Sequence, residues 1–222
     1  MRVSLIREKH KVDKVNKTLI GLVLAGGQSR RMGQDKALMR YQGSTLIERA
    51  SSLLKAAGCD EVLISRNAPN FLNDKIDDAG PLGGVHAALD VLCNSNAGKG
   101  SAIELLVLPV DMPQMTPQLL KLLVSAGRES QRSVYVKNRF LPFYLPVSQD
   151  IAARLTHYVV DQHKRRVVGF LDSIDAVALE EANLECTKSA NGEQGKQSEK
   201  ITLVDEAYWL NVNTPGDWPD DK

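Results

Sequence analysis

The sequence predicts one α/β domain, a mostly parallel, twisted sheet with helices on both faces. Three observations carry that expectation. Residues 20–24 (Ile20, Gly21, Leu22, Val23, Leu24) form an apolar run that breaks into Gly26 and Gly27; continuous hydrophobicity is the mark of a parallel strand covered on both faces. Residues 45–64 hold a punctuated helix and a second short apolar run, which with the first strand make a βαβ unit with a right-handed crossover. Residues 105–110 form another buried run with Asp111 at its carboxyl end, the edge at which open α/β sheets bind ligands.

The chain has 222 residues, enough for a substantial single core. It is 43% hydrophobic and 25% charged, the composition of a globular protein. A net charge of +1 gives no bulk field toward nucleic acid or a membrane surface, and neither partner is expected. No apolar stretch approaches the roughly 18 residues that a membrane helix needs. Cys59, Cys93 and Cys186 are scattered, with no C-x-x-C pair, which fits a reducing, cytoplasmic setting. Residues 1–18 are basic (Arg2, Arg7, Lys9, Lys11, Lys14, Lys17) without the apolar core of a secretory signal. They read as a flexible tail ahead of a domain over 19–218.

After the first strand, Gly26 and Gly27 permit φ > 0 and close approach to the backbone. Bare N–H groups in such a loop form an anion site, and Arg30, Arg31 and Lys36 add positive charge. The stretch reads as a phosphate cradle. It is not a Walker A loop, since Asp35 precedes Lys36 and Ala37 follows it, and no G-x-G-x-x-G occurs here. Thr45 and Glu48 form a capping box. Leu46, Ile47, Ala50, Leu53, Leu54 and Ala57 make one apolar face, and Gly58 stands at the C-terminal cap. Residues 62–64 are the second strand, with Ser65 at its end.

Asp77 and Asp78 precede Gly80, Pro81 and Leu82, and a helix is expected from near Gly83 with Val85, Ala88, Leu89 and Leu92 inward. Several glycines around one proline point to something packed against the backbone. Asp111, followed by Met112 and Pro113, suits a hard cation such as Mg²⁺, which takes one or two protein carboxylates plus substrate phosphates. Thr116 and Pro117 open a helix with Leu119, Leu120, Leu122, Leu123 and Ala126 inside. Residues 133–136 and 143–147 read as strands, 151–160 as a helix, and 164–171 as an amphipathic stretch led by Lys164, Arg165 and Arg166. Residues 186–200 read as a flexible polar excursion. Alternation at the chain's end puts Asn211 and Asn213 on one face of a short strand.

Residues 24–36 resemble the L-A-G-G-x-S-x-R-M-G-x-D-K signature of the molybdenum cofactor guanylyltransferases. The resemblance extends to G-P-L-x-G at Gly80 to Gly84, D-x-P at Asp111, R-R-V at Arg165 and N-V-N-T-P at Asn211. It implies a Rossmann-like nucleotidyltransferase fold. It also implies transfer of GMP from GTP to the terminal phosphate of the molybdenum–molybdopterin cofactor, with pyrophosphate leaving. Catalytic roles then fall to Arg31, Lys36 and Asp111. GTP is held by Leu24, Ala25, Gly26, Gly27, Lys36, Ser65, Gly80, Pro81, Leu82 and Asp111. Either Asp77 or Asp78 faces the guanine edge, whose N1–H and N2–H₂ are all donors; the spacing leaves the choice open. Asp111 holds Mg²⁺, with Mn²⁺ as the substitute. Arg165, Arg166, Asn211 and Asn213 face the pterin substrate.

The attacking phosphate is already an anion, so no Ser, Cys or His is needed. Lys36 is expected to face solvent, with Asp35 or Glu48 as a competing surface partner. Further protein partners are other proteins of cofactor biosynthesis or acceptor enzymes, and the expected state is a monomer. Two alternatives stand beside this reading: a relative using CTP or a sugar phosphate, and a non-catalytic nucleotide- and pterin-binding module. Gly27, the Asp35-Lys36 pair and the Gly-Pro-Leu-Gly-Gly turn argue against the first, and the presence of Lys36 and Asp111 against the second.

Overall fold

Strand β1 (Asn16–Leu24) is an interior strand of the six-stranded sheet. Its side chains alternate between the two faces, as the strand period dictates. Leu19 and Val23 enter one core with helices α1 (Leu46–Ala57) and α3 (Pro117–Ser130), while Ile20, Leu22 and Leu24 enter the other with α2 (Pro81–Asn94). Both faces are therefore covered, which is why the run is apolar without a break. The strand is longer than that run. Its polar first residues, Asn16 to Thr18, pair in register with Ser101 to Ile103 of β5 (Ser101–Pro109). The computed structural model describes residues 16–26, 35–94, 101–181, 184–188, 199–202, 206–212 and 217. The flexible tail expected over residues 1–18 is thereby shortened, since residues 16–18 belong to β1; residues 1–15, together with Gly27, Arg30, Arg31 and Asn213, lie outside the described residues.

The sheet order is β4-β1-β5-β7-β6-β8, with β4 Glu61–Ser65, β6 Val134–Val136, β7 Phe143–Pro146 and β8 Val177–Leu179. β1 runs parallel to β4 and β5, and β6 parallel to β8. Only β7 opposes its neighbours. The carboxyl ends of β4, β1 and β5 thus share one edge. Helices α1 and α3 pack together on one face. On the other, α2 packs on α4 (Gln149–Thr156), which runs through a π-turn at His157–Asp161 toward α5 (Val167–Ser173). A small hairpin of β2 (Arg40–Tyr41) and β3 (Ser44–Thr45) precedes α1. Strands β9 (Glu185–Lys188) and β10 (Glu199–Thr202) pair at the two ends of the polar excursion.

The local signals act as expected. Thr45 and Glu48 exchange both capping-box hydrogen bonds, and Gly58 closes α1 at φ 103°. Thr116 caps α3 ahead of Pro117. Two expectations need correction. Helix α2 starts at Pro81 rather than near Gly83, because Pro fits the first helical position. The chain's end forms no strand at 210–212. A 3₁₀ turn at Glu206–Trp209 buries Trp209, and Val212 makes one backbone bond, donating to the Asp111 carbonyl at 2.9 Å.

One buried charge fixes the layers. Glu104, on β5, is 2% exposed. It accepts from Tyr144 of β7 at 2.8 Å and from Arg128 Nε of α3 at 2.8 Å, and pairs with Lys17 of β1 at 3.3 Å. Burial pushes its carboxyl upward, but Arg128, Tyr144 and Lys17 together outweigh that and hold it below the usual carboxylate range. A depressed carboxylate stabilises the fold above its unfolded-state pKa, and the contribution is lost as pH falls through the folded-state value. We expect Glu104→Ala to destabilise the protein by about 3 kcal/mol at neutral pH, since it strands Arg128 and the buried Tyr144 hydroxyl. The loss should shrink in acid; denaturant titrations at pH 7 and at lower pH check both statements.

Candidate active site

The chain leaves β1 between two neighbouring strand ends. Ala25 N donates to the Ser65 carbonyl at 2.9 Å, and Val110 N donates to the Leu24 carbonyl at 3.0 Å. Leu24, Ala25, Ser65 and Asp111 are thereby gathered at the carboxyl edge, with Gly26 exposed beside them. That is the position at which α/β sheets hold ligands.

Lys36 reaches this edge from the far end of the glycine-rich loop. Its Nζ lies 3.0 Å from Asp111 Oδ2, and the two side chains are 15% and 25% exposed. The expectation of a solvent-facing Lys36, with Asp35 or Glu48 as the competing partner, is therefore corrected. Asp35 is occupied otherwise. It accepts from Ala37 N, capping the 3₁₀ turn Lys36–Leu38, and its second oxygen pairs with Arg66. Arg66 in turn stacks over Phe71 at 5.4 Å. The turn aims Lys36 inward, where a strand end has placed a carboxylate. Arg49 of α1 secures the same strand end from below. Its Nε donates to the Pro113 carbonyl, and its guanidinium lies 5.0 Å over the Tyr41 ring.

On the β4 side, Ser65 donates to Asp74 Oδ1 at 3.2 Å, and Asp74 N donates to Asn67 Oδ1 at 2.8 Å. Burial raises the Asp74 carboxyl above its ordinary range, only partly offset by the hydrogen bonds with Ser65 and Asn67. Asp74 also stands against the start of α2: a Cβ on Gly83 would lie 3.1 Å from its Cγ, and one on Gly26 would lie 3.9 Å from its Oδ2. Asp77 and Asp78, by contrast, are exposed. Sequence reading missed Asp74. The available signal was a third carboxylate in the same short loop, but which one folds inward is decided by contacts with residues far along the chain. Arg49 and Arg66 were missed for the same reason.

Gly80, at φ +59°, turns the chain into α2, so that Pro81 and Leu82 open the helix beside Asp74. Gly84 is the tightest approach: a Cβ there would overlap Ser65 Oγ and lie 2.8 Å from Leu24 Cδ2. Farther out, Tyr158, Lys164, Arg165, Arg166 and Gly169 line a basic hollow of about 420 Å³. Arg165 also donates to the Asp78 carbonyl at 3.1 Å. Asn211 is exposed one residue before Val212, the residue bonded to Asp111. The structure thus brings together Leu24, Ala25, Gly26, Lys36, Ser65, Gly80, Pro81, Leu82 and Asp111. Arg165 and Arg166 lie on the hollow beyond the Asp77–Asp78 stretch. Among the described residues, no three His, Cys, Asp or Glu side chains cluster closely enough to hold a metal by themselves.

A parallel sheet whose carboxyl edge joins a glycine turn, an inward lysine and one carboxylate defines a nucleotide-handling α/β enzyme. The family model for the MobA-like NTP transferase domain matches residues 21–176, and the chain belongs to that family. It is a nucleotidyltransferase of molybdenum cofactor biosynthesis. The chain is 32% identical over 200 residues to the molybdenum cofactor guanylyltransferase of Xanthomonas euvesicatoria, covering 89% of this chain and 91% of that one. It is 29% identical over 205 residues to the probable molybdenum cofactor guanylyltransferase of Pelotomaculum thermopropionicum, covering 89% and 88%. Among solved structures, it resembles molybdopterin-guanine dinucleotide biosynthesis protein A from Archaeoglobus fulgidus in fold, with TM-score 0.64 at 21% identity, covering 89% of this chain and 94% of that one.

The Gly84 contact generates a test. Gly84→Ala should cost about 1–3 kcal/mol of stability, the range for forcing volume into a packed site. It should also weaken nucleotide binding, because Ser65 must shift. Thermal melts and nucleotide titrations of the variant measure both.

Proposed function

We propose that this enzyme transfers GMP from GTP to the terminal phosphate of the molybdenum–molybdopterin cofactor and releases pyrophosphate. The observation that carries the reading is the 3.0 Å approach of Lys36 to Asp111 at the sheet's carboxyl edge. A phosphate-seeking cation and a carboxylate meet there beside the strand-ending glycine. A terminal phosphate oxygen attacks the α-phosphorus of GTP. One P–O bond forms, the α–β bridging P–O bond breaks, and its electrons leave on pyrophosphate. The attacking oxygen is already anionic, so the residues align two polyanions and oppose leaving-group charge rather than move a proton.

In this reading the amides of Gly26 and Gly27, with Arg31 and Lys36, hold the triphosphate. The Asp111 carboxylate suits a hard divalent cation, Mg²⁺ or Mn²⁺, which it would hold together with substrate phosphates. Asp111 would hold such a cation, which would supply positive charge against the departing pyrophosphate. Lys36 then exchanges Asp111 for the phosphates. Leu24, Ala25, Ser65 and the lip formed by Gly80, Pro81 and Leu82 surround the base. Asp74 joins Asp77 and Asp78 as an acceptor for the guanine N1–H and N2–H₂ edge, and its half-buried place favours it. Arg165, Arg166, Asn211 and Asn213 are assigned to the pterin substrate. A cytoplasmic, monomeric enzyme that hands its product to other cofactor-assembly or acceptor proteins completes the proposal.

Turnover with each nucleoside triphosphate tests it: pyrophosphate release should follow GTP, and Asp111→Asn should remove it while the fold melts normally. Release with CTP in place of GTP would overturn the assignment.

Lys36→Ala should weaken GTP roughly ten- to hundredfold, the range for one hydrogen bond to a charged group. GMP, which lacks the β- and γ-phosphates, should lose little. Equal losses for the two nucleotides in a calorimetric titration would remove Lys36 from the triphosphate site.

A further inference from the structure

Arg165 turns its Nε and Nη1 to backbone carbonyls although it lines the open hollow. Its Nη1 donates to the Val159 carbonyl at 2.5 Å and to the Lys164 carbonyl at 3.1 Å, and its Nε donates to the Asp78 carbonyl at 3.1 Å. Two of these acceptors belong to the α4–α5 corner. The third lies 87 residues earlier, in the loop that leads into α2. The fork geometry of a guanidinium suits this bridge, because its N–H groups point along fixed, divergent directions.

The loop needs such a brace. Asp78 adopts φ +51° and Gly80 φ +59°, so the chain makes two left-handed steps within three residues. Asp78 has a Cβ, and it persists in that region only when its surroundings over-determine it. Two contacts supply the determination. Ala79 is 1% exposed and packs into the same core as Tyr158, Val159, Phe170 and Leu171 of the α4–α5 corner. Arg165 holds the carbonyl just before it. The next residues, Gly80 to Leu82, form the lip that faces the base. Arg165 therefore fixes where the lip stands relative to Asp74 and Ser65.

We propose that Arg165 is a positioning residue for guanine selection, acting through the 78–82 lip, and that this bridge joins the nucleotide site to the basic hollow. The inference rests on the guanine reading of the lip given above. It makes Arg165 matter for GTP before any second substrate arrives. It also explains why the hollow and the lip share one side chain: an anion drawn to Lys164 and Arg166 lands on the corner that the lip is tied to.

The test uses the full chain and titrates GTP and ITP, without the molybdenum–molybdopterin substrate, into wild type, Arg165→Ala and Arg165→Lys. ITP lacks the N2 amino group and so reports on alignment with the guanine edge. Both variants should bind GTP about tenfold more weakly, the scale of one lost hydrogen bond to a charged donor. Their loss for ITP should be smaller, so the GTP-over-ITP preference narrows. Lysine should rescue little, since one ammonium cannot span the two segments. Melting of the unliganded variants shows that they are folded. Unchanged GTP affinity in both variants overturns the proposal, as does an equal loss for GTP and ITP or full rescue by lysine. An effect confined to the KM of the second substrate assigns Arg165 to that substrate instead. A wild-type protein that does not prefer GTP over CTP would remove the guanylyl-transfer reading itself, whatever the variants do.

Discussion

Everything at the site depends on one long-range contact, the ion pair between Lys36 and Asp111, 75 residues apart in the chain. Neither residue could make it from local structure alone. Asp111 stands at the edge because β5 runs parallel to β1 in register through Pro109, and because Val110 and Val212 bond to either side of that strand end. Lys36 points inward because Asp35 caps the 3₁₀ turn that carries it and is itself tied to Arg66. The pair is three-quarters or more covered on each side. A pair so placed is neither a deep buried bridge nor a screened surface one.

The β4 side of the edge is built by close approach instead of by an ion pair. Gly84 lets α2 sit against Ser65 and Leu24 at distances that a Cβ would not tolerate, and Gly83 faces Asp74 where a Cβ would be tight. The same closeness partly desolvates Asp74 and raises its carboxyl. A carboxylate in that setting gains most from a ligand that offers donors, which is what the guanine edge does. The Lys36–Asp111 side and the Asp74 side thus use different physics, and the strand ends of β1, β4 and β5 hold them in one frame.

Much of this frame was legible in the residues. The buried first strand, α1 with its capping box and glycine stop, α3 behind Thr116 and Pro117, and Asp111 at the end of β5 all follow from signals within a few residues of each element. What was not legible depends on partners far away in sequence. Lys36 looked solvent-facing because its neighbours are polar, yet its partner comes from β5. Asp74 could not be told from Asp77 and Asp78, because Ser65 and the α2 glycines make the choice. The alternation at Asn211 suggested a strand, but Trp209 has a core to fill, and burying it takes a tight turn. Arg165 read as one of a run of cations turned to the pterin substrate, and only the fold reveals the carbonyls it serves.

The central claim is that substrate phosphates and a divalent cation replace the Lys36–Asp111 pair. A crystal structure with GTP and Mn²⁺, read by anomalous scattering, tests it most directly. The account predicts the metal on an Asp111 oxygen, Lys36 on the β- or γ-phosphate, and the two side chains out of salt-bridge contact. A bound nucleotide with the pair still closed, or a metal held away from Asp111, would contradict it.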